Sequence, residues 1–156
     1  MGVSGCGKTT IGQLLSIALN IPFYDADDFH TQPNIEKMKR GFPLNDDDRT
    51  PWLNILANKL KQWHASNGAI LACSALKEKY RQQLSKEVLI IKWIYLEGAY
   101  DIIKRRMENR SQHFFKPEIL RSQFEILEAP NYGIHVNINK DQDCIVKYII
   151  NKLNNE

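Results

Sequence analysis

A chain of 156 residues with 43% hydrophobic and 25% charged side chains has the size of one globular domain, able to bury roughly two thirds of its unfolded surface without disulfide or metal staples. Its 21 Lys and Arg against 18 Asp and Glu leave a net charge of +3, compatible with anionic ligands and too small to indicate a nucleic-acid partner. Cys6, Cys73 and Cys144 are odd in number and widely spaced, which argues against a disulfide framework or a zinc knuckle and points to a reducing cytoplasm; no apolar run approaches the ~20 residues of a membrane span, so no membrane partner is expected.

Short apolar runs alternate with longer amphipathic segments, which predicts an α/β fold with a mostly parallel sheet flanked by helices. In chain order the pattern gives a helix over 8–19, a strand over 22–25, helices over 35–40 and 51–66, a strand over 69–73 and a helix over 76–84. A strand over 89–96, helices over 99–109 and 117–127, a strand over 134–139 and a helix over 141–153 complete it. The helix from 51 has Thr50 as its cap and Pro51 at its first position, with Trp52, Ile55, Leu56, Leu60 and Trp63 along one face. Trp52, Trp63 and Trp93 all read as packing residues. Two stretches break the alternation: 41–49 is turn-rich and acidic, and 105–116 is basic and polar. The expected organisation is one domain over 1–156, with a substrate-binding insertion at about 28–50 and a lid at about 105–117.

Gly2, Val3, Ser4, Gly5, Cys6, Gly7, Lys8 and Thr9 satisfy GxxxxGK[ST], the Walker A pattern, and Thr10 continues it into the predicted helix. Small residues let successive backbone N–H groups curl round a polyphosphate, and the helix behind them presents its positive end. Lys8 is placed to reach the β- and γ-phosphates, and the Thr9 hydroxyl to ligate Mg²⁺. Such a loop normally leaves a buried central strand, yet only Met1 precedes Gly2. Either the chain as given begins late or the sheet is assembled with a gap; the first is the expectation, since a gap exposes two strand edges.

Walker A alone does not distinguish a kinase from a GTPase or a motor. Asn139, Lys140, Asp141 and Gln142 resemble the guanine-reading N-K-x-D but put Gln in the place of the Asp, and no apolar strand ends in Asp-Glu. A small-molecule phosphotransferase remains. Asp25 and Asp27 close the first predicted strand at alternate positions, so that one can serve Mg²⁺ and the other the attacking hydroxyl, unless one merely caps the next helix.

The run of motifs is similar to the gluconate kinases over nearly the whole chain: Walker A, Phe23-Tyr24-Asp25-Ala26-Asp27, Asn34 to Met38, Pro43 to Arg49, Pro51-Trp52-Leu53, Cys73-Ser74-Ala75-Leu76-Lys77, Tyr80-Arg81, His113-Phe114-Phe115 and Gln123-Phe124-Glu125. Shikimate kinases, the nearest relatives, carry a glycine run where Cys73 to Lys77 stands. The resemblance implies a fold like the nucleoside monophosphate kinases with five parallel strands, of which the first central one is missing from the readable pattern. It also implies ATP and Mg²⁺ as cofactors, phosphorylation of the 6-hydroxyl of D-gluconate, and a homodimer. On it, Lys8, Asp27 and Arg110 are the catalytic candidates: Asp27 positions and deprotonates the hydroxyl, while Asp25 joins Thr9 on the metal. Arg49 and Arg81 are candidates for the substrate carboxylate, Lys77 for substrate or phosphate, and His30 and His113 for substrate hydroxyls. Arg106 and Arg110 come over ATP from the lid. Blander readings stand beside these: a local salt bridge for Arg49, an exposed helix lysine for Lys77, ordinary structural histidines, and a solvated basic helix face for 105–116. The alternatives in function are a shikimate kinase-like enzyme and a catalytically silent nucleotide-binding module.

Overall fold

Parallel strands pair only when a crossover returns the chain to the same edge, and two such returns build this fold. The computed structural model describes residues 1–88, 90–109 and 117–155. β1 (Phe23–Asp25) pairs in parallel with β2 (Ile70–Ala72), with Tyr24 opposite Leu71. The connection between them holds a 3-10 turn (Ala26–Phe29), α2 (Gln32–Lys39) and α3 (Asp46–His64). β3 (Ile94–Glu97) pairs in parallel with β4 (Ile134–Asn137), with Tyr95 opposite His135, and α5 (Tyr100–Glu108) and α6 (Pro117–Ile126) lie in that crossover. α1 (Lys8–Leu19) precedes β1, α4 (Glu78–Ser85) follows β2, and α7 (Gln142–Asn154) closes the chain.

Two strand pairs thus stand where one continuous sheet was expected, and the first two residues stitch them together. The Met1 amino group donates to the Ile94 carbonyl at 2.5 Å and the Leu96 N–H donates to the Met1 carbonyl at 3.0 Å. On the other side the Gly2 N–H donates to Ser74 O, just beyond β2, at 3.2 Å. Met1 and Gly2 therefore occupy the place of the expected central strand, with two residues of backbone in the gap, and the phosphate loop springs from that place.

The core has two lobes, one on each side of this seam. Leu15, Leu96, Ile103, Leu120, Val136 and Ile149 fill the lobe shared by α1, α5, α6 and α7. Met1, Trp52, Leu56, Cys73, Tyr80 and Leu84 fill the lobe under α3 and α4. Cys6, Cys73 and Cys144 are all unpaired, and burial pushes the Cys73 thiol up to about 11, so that it packs as an inert apolar group.

α3 departs most from expectation. It starts at Asp46, inside the stretch read as a loop, because Asn45 and Asp48 form a reciprocal capping box: the Asp48 N–H donates to Asn45 Oδ1 at 2.8 Å and the Asn45 N–H to Asp48 Oδ2 at 2.7 Å. Asp46, Asp47 and Asp48 then sit at the positive end of the helix dipole, which outweighs the proline signal at Pro51, now in the second turn. Thr50 is not the cap; its hydroxyl donates to the Asp46 carbonyl. The buried face is Trp52, Leu53, Leu56 and Ala57, whereas Ile55 is 38% exposed. β3 is also shorter than read, starting at Ile94. Leu56→Ala is expected to cost about 2–5 kcal/mol in chemical unfolding, and Ile55→Ala under about 1 kcal/mol, because only the first leaves an internal cavity.

Candidate active site

The loop between Gly2 and Lys8 is held open for an anion by its own conformation. Gly7, the N-cap of α1, has φ +101°, and no side chain caps the helix behind it, so its first amides point outward without a side-chain acceptor. Gly5 has φ +79°, and a Cβ there would lie 2.5 Å from the Met107 side chain, so only glycine lets α5 press against the loop. Ser4 is gripped from α6: its N–H donates to Gln123 Oε1 at 2.6 Å, and Gln123 Nε2 donates to Ser4 Oγ at 3.0 Å. Lys8 folds back over the curl, its ammonium donating to the Val3 carbonyl at 3.0 Å.

A cavity of about 750 Å³ opens beside this loop, lined among others by Gly5, Gly7, Thr10, Arg106, Asn109 and Lys140. Arg106 is fixed on its wall by a 2.6 Å bond from Nη2 to the Ile138 carbonyl, which brings one of the two expected lid arginines to the cavity. Arg110 and His113 lie outside the described residues.

On the other flank of the loop the two carboxylates take up separate duties. The Thr9 hydroxyl donates to Asp25 Oδ2 at 2.9 Å, while Asp25 Oδ1 accepts the Asp27 N–H at 3.2 Å and so caps the 3-10 turn. A hydroxyl and a carboxylate side by side are the hard oxygen donors that Mg²⁺ takes together with substrate phosphates and water, and they fit that ion. Among the described residues no group of three or more acidic, histidine or cysteine side chains gathers elsewhere as a metal cage. Asp27 projects with its side chain 86% open to water. Partial desolvation by the surrounding protein, then the Asp25 charge, push its carboxyl up, against the opposing pull of His30 and Lys8.

His30 is buried beneath Asp27. Its ring stacks on Trp52 with centroids 4.4 Å apart, and its Nε2 lies 3.7 Å from Asp27 Oδ1. Burial, outweighing Asp27, lowers its pKa, so the ring is neutral at pH 7, and its Nδ1 is buried without a hydrogen-bond partner. Trp52 is itself pinned by a 2.8 Å bond from Nε1 to the Ala26 carbonyl.

Arg49 and Lys77 converge on one aromatic ring. Arg49 donates to the Leu44 carbonyl, and its guanidinium lies 5.7 Å from the centroid of Tyr80; the Lys77 ammonium lies at the same distance. Lys77 also spans both Asp46 oxygens at 3.0 and 3.2 Å, and Lys79 and the Tyr80 hydroxyl complete the ring of donors round Asp46. Those hydrogen bonds hold the Asp46 carboxyl far below the usual range. Composition marks this acidic run as charged but cannot say that Asp46 is the acceptor for three residues of α4 and its approach. Asn34, 3% exposed and bonded to the Asp48 carbonyl at 2.8 Å, is another polar anchor of the insertion to which the sequence reading gave no role.

Arg81 is a correction. Its side chain is 2% exposed, and its guanidinium donates to Glu78, to the Tyr132 hydroxyl and to the Ala75, Leu76 and Glu128 carbonyls, leaving no fork for a substrate carboxylate. It secures the turn after β2, where Ala75 adopts φ +42°, a left-handed conformation costly for a residue with a Cβ.

Comparison with known proteins adds an independent line. The shikimate kinase family model matches residues 4–153. A probable gluconokinase of Dictyostelium discoideum is 40% identical, covering 98% of this chain and 84% of its own. The thermoresistant gluconokinase of Escherichia coli is 43% identical over 83% of this chain and 75% of its own. The crystal structure of a Sinorhizobium meliloti gluconokinase superposes with a TM-score of 0.91 at 33% identity, covering 99% of this chain and 89% of that one. A shikimate kinase from Aquifex aeolicus shares the fold, with a TM-score of 0.59 at 20% identity over 99% of this chain and 93% of its own. A phosphate loop facing two separated aspartates, carried on this fold and at these identities, establishes that the chain belongs to the gluconokinases, within the wider family that the shikimate kinase model describes.

Proposed function

We propose that this chain transfers the γ-phosphoryl group of Mg·ATP to the 6-hydroxyl of D-gluconate, giving 6-phospho-D-gluconate and ADP. The observation that carries the reading is the hinge at Asp25: one carboxylate oxygen faces the Thr9 hydroxyl and the other orients the backbone of Asp27. That division leaves the Asp27 carboxylate free to take the proton of an alcohol while Asp25 and Thr9 serve the metal. ATP supplies the electrophilic phosphorus. The protein's part is to align and to neutralise: Lys8 and the loop amides face the phosphates, and Arg106 lies on the cavity wall. Neutral His30 beneath Asp27 supports its orientation without cancelling its charge. For the acceptor's carboxylate, Arg49 and Lys77 round Tyr80 are the supported candidates and Arg81 is not. Arg110 and His113 keep the roles that the resemblance implies, transition-state charge for the first and a substrate hydroxyl for the second. The cytoplasm belongs to the same reading, supported by the three unpaired cysteines; among the described residues no helix is long and apolar enough to cross a membrane. A homodimer rests on the family resemblance.

A coupled ADP-release assay tests this directly: gluconate is expected to drive release, shikimate is not, and ATP binding without turnover on either would leave a silent nucleotide-binding module. Asp27→Asn is expected to lower kcat by about 10²–10⁴-fold with ATP affinity nearly unchanged. Because the Asp27 carboxyl is pushed up and must be ionised to act, kcat/KM is expected to fall as pH drops through a value above the ordinary carboxylate range of about 4. The Asn variant's residual rate should lack that limb. Arg49→Ala should raise KM for gluconate while lowering stability by no more than about 1 kcal/mol, the worth of its one hydrogen bond to the Leu44 carbonyl. Arg81→Met should instead lower the free energy of unfolding by about 3 kcal/mol or more, since it strands buried carbonyl groups and the Ala75 turn.

A further inference from the structure

Gln123 is a polar side chain that the phosphate chemistry and the acceptor site leave unused. It lies half-buried on α6, 119 residues from the loop it touches, and both ends of its amide meet Ser4. A primary amide is the uncharged group that carries an acceptor and a donor on one planar end, so it can satisfy a backbone N–H and a hydroxyl together. The helix that carries it is firmly seated. Leu120 is 1% exposed in the core, and Phe124 meets Tyr100 edge-on with centroids 5.4 Å apart. Just past α6 the Glu128 N–H donates to the Leu76 carbonyl at 2.9 Å, and Glu128 Oε2 accepts the Glu78 N–H at 2.6 Å. From α5 Met107 and Ile103 bear on Gly5. The loop is therefore clamped at two successive residues, Ser4 by hydrogen bonds and Gly5 by contact.

We propose that Gln123 is a positioning residue for the nucleotide: by fixing Ser4 it keeps the amides that follow in their anion-binding curl before the triphosphate arrives. A loop free to relax would lose part of its affinity to ordering. The inference rests on the nucleotide half of the proposed function and is independent of the acceptor's identity.

The test is calorimetric titration of Mg·ADP into the full chain and its variants. Gln123→Leu, close in size, is expected to weaken nucleotide binding about tenfold, equivalent to about 1.4 kcal/mol, with the gluconate KM and the kcat at saturating ATP each within about twofold. Ser4→Ala, which removes only the hydroxyl half of the contact, should weaken binding by a smaller factor and answers the same question if Gln123→Leu fails to fold. The double variant should bind no worse than Gln123→Leu alone, because both act through one contact. Nucleotide affinity within twofold of the parent in Gln123→Leu, or in Ser4→Ala where that variant stands in, overturns the proposal. So does a double variant whose losses add in full, or an equal rise in the gluconate KM. Titration with nucleotide needs no acceptor, so a failure of the gluconate reading would show in the ADP-release assay and leave this measurement intact.

Discussion

Two residues of backbone hold the seam on which the site depends. Met1 bonds to β3 and Gly2 to the end of β2, so the phosphate loop starts from a fixed point between the strand pairs. The strand pairs share no direct ladder, and the turn at Ser74 and the helix α6 add ties across the same seam: Gln123 to Ser4, Glu128 to Leu76 and Glu78. The loop's glycine conformations then follow, since a chain that must reverse within five residues beneath α5 has no room for a Cβ at Gly5. Position comes from the seam and shape from the glycines.

The charges of the site are arranged by the same economy of contacts. Asp25 is tied on both oxygens, to Thr9 and to the turn that it caps, and so presents a fixed carboxylate to the phosphate side. Asp27 is tied by its backbone N–H, its carboxylate has only His30 Nε2 at 3.7 Å beneath it, and desolvation raises its proton affinity. Two acids two residues apart thus acquire different roles from their hydrogen bonding. The basic groups divide likewise: Arg81 is consumed by the fold, Lys77 is shared with Asp46, and Arg49 lies over an aromatic face with one carbonyl partner.

Much of this was legible in the residues. The Walker A loop, the helix behind it, the Asp25 and Asp27 pair and the order of strands and helices all follow from spacing and periodicity, because those features depend on neighbours within a turn or two. The family followed from blocks such as Pro43 to Arg49 and Cys73 to Lys77. What misled was competition between local signals: Pro51 reads as a first helical residue, but the Asn45 and Asp48 box opened the helix five residues sooner. Ile55 lies outside the buried face for a related reason, since the face that a helix hides depends on the element lying against it.

Sequence by itself determined that an anion-binding loop precedes a helix, that two carboxylates follow the next strand, and which relatives share that order, because short-range geometry and side-chain chemistry suffice for each. Tertiary structure decided that Arg81 is buried and supports a left-handed turn, that Asp46 gathers Lys77, Lys79 and Tyr80, and that Gln123 reaches Ser4. Those outcomes depend on contacts between residues 31 to 119 positions apart, or on a side chain being sealed inside, and neither leaves a trace in local spacing.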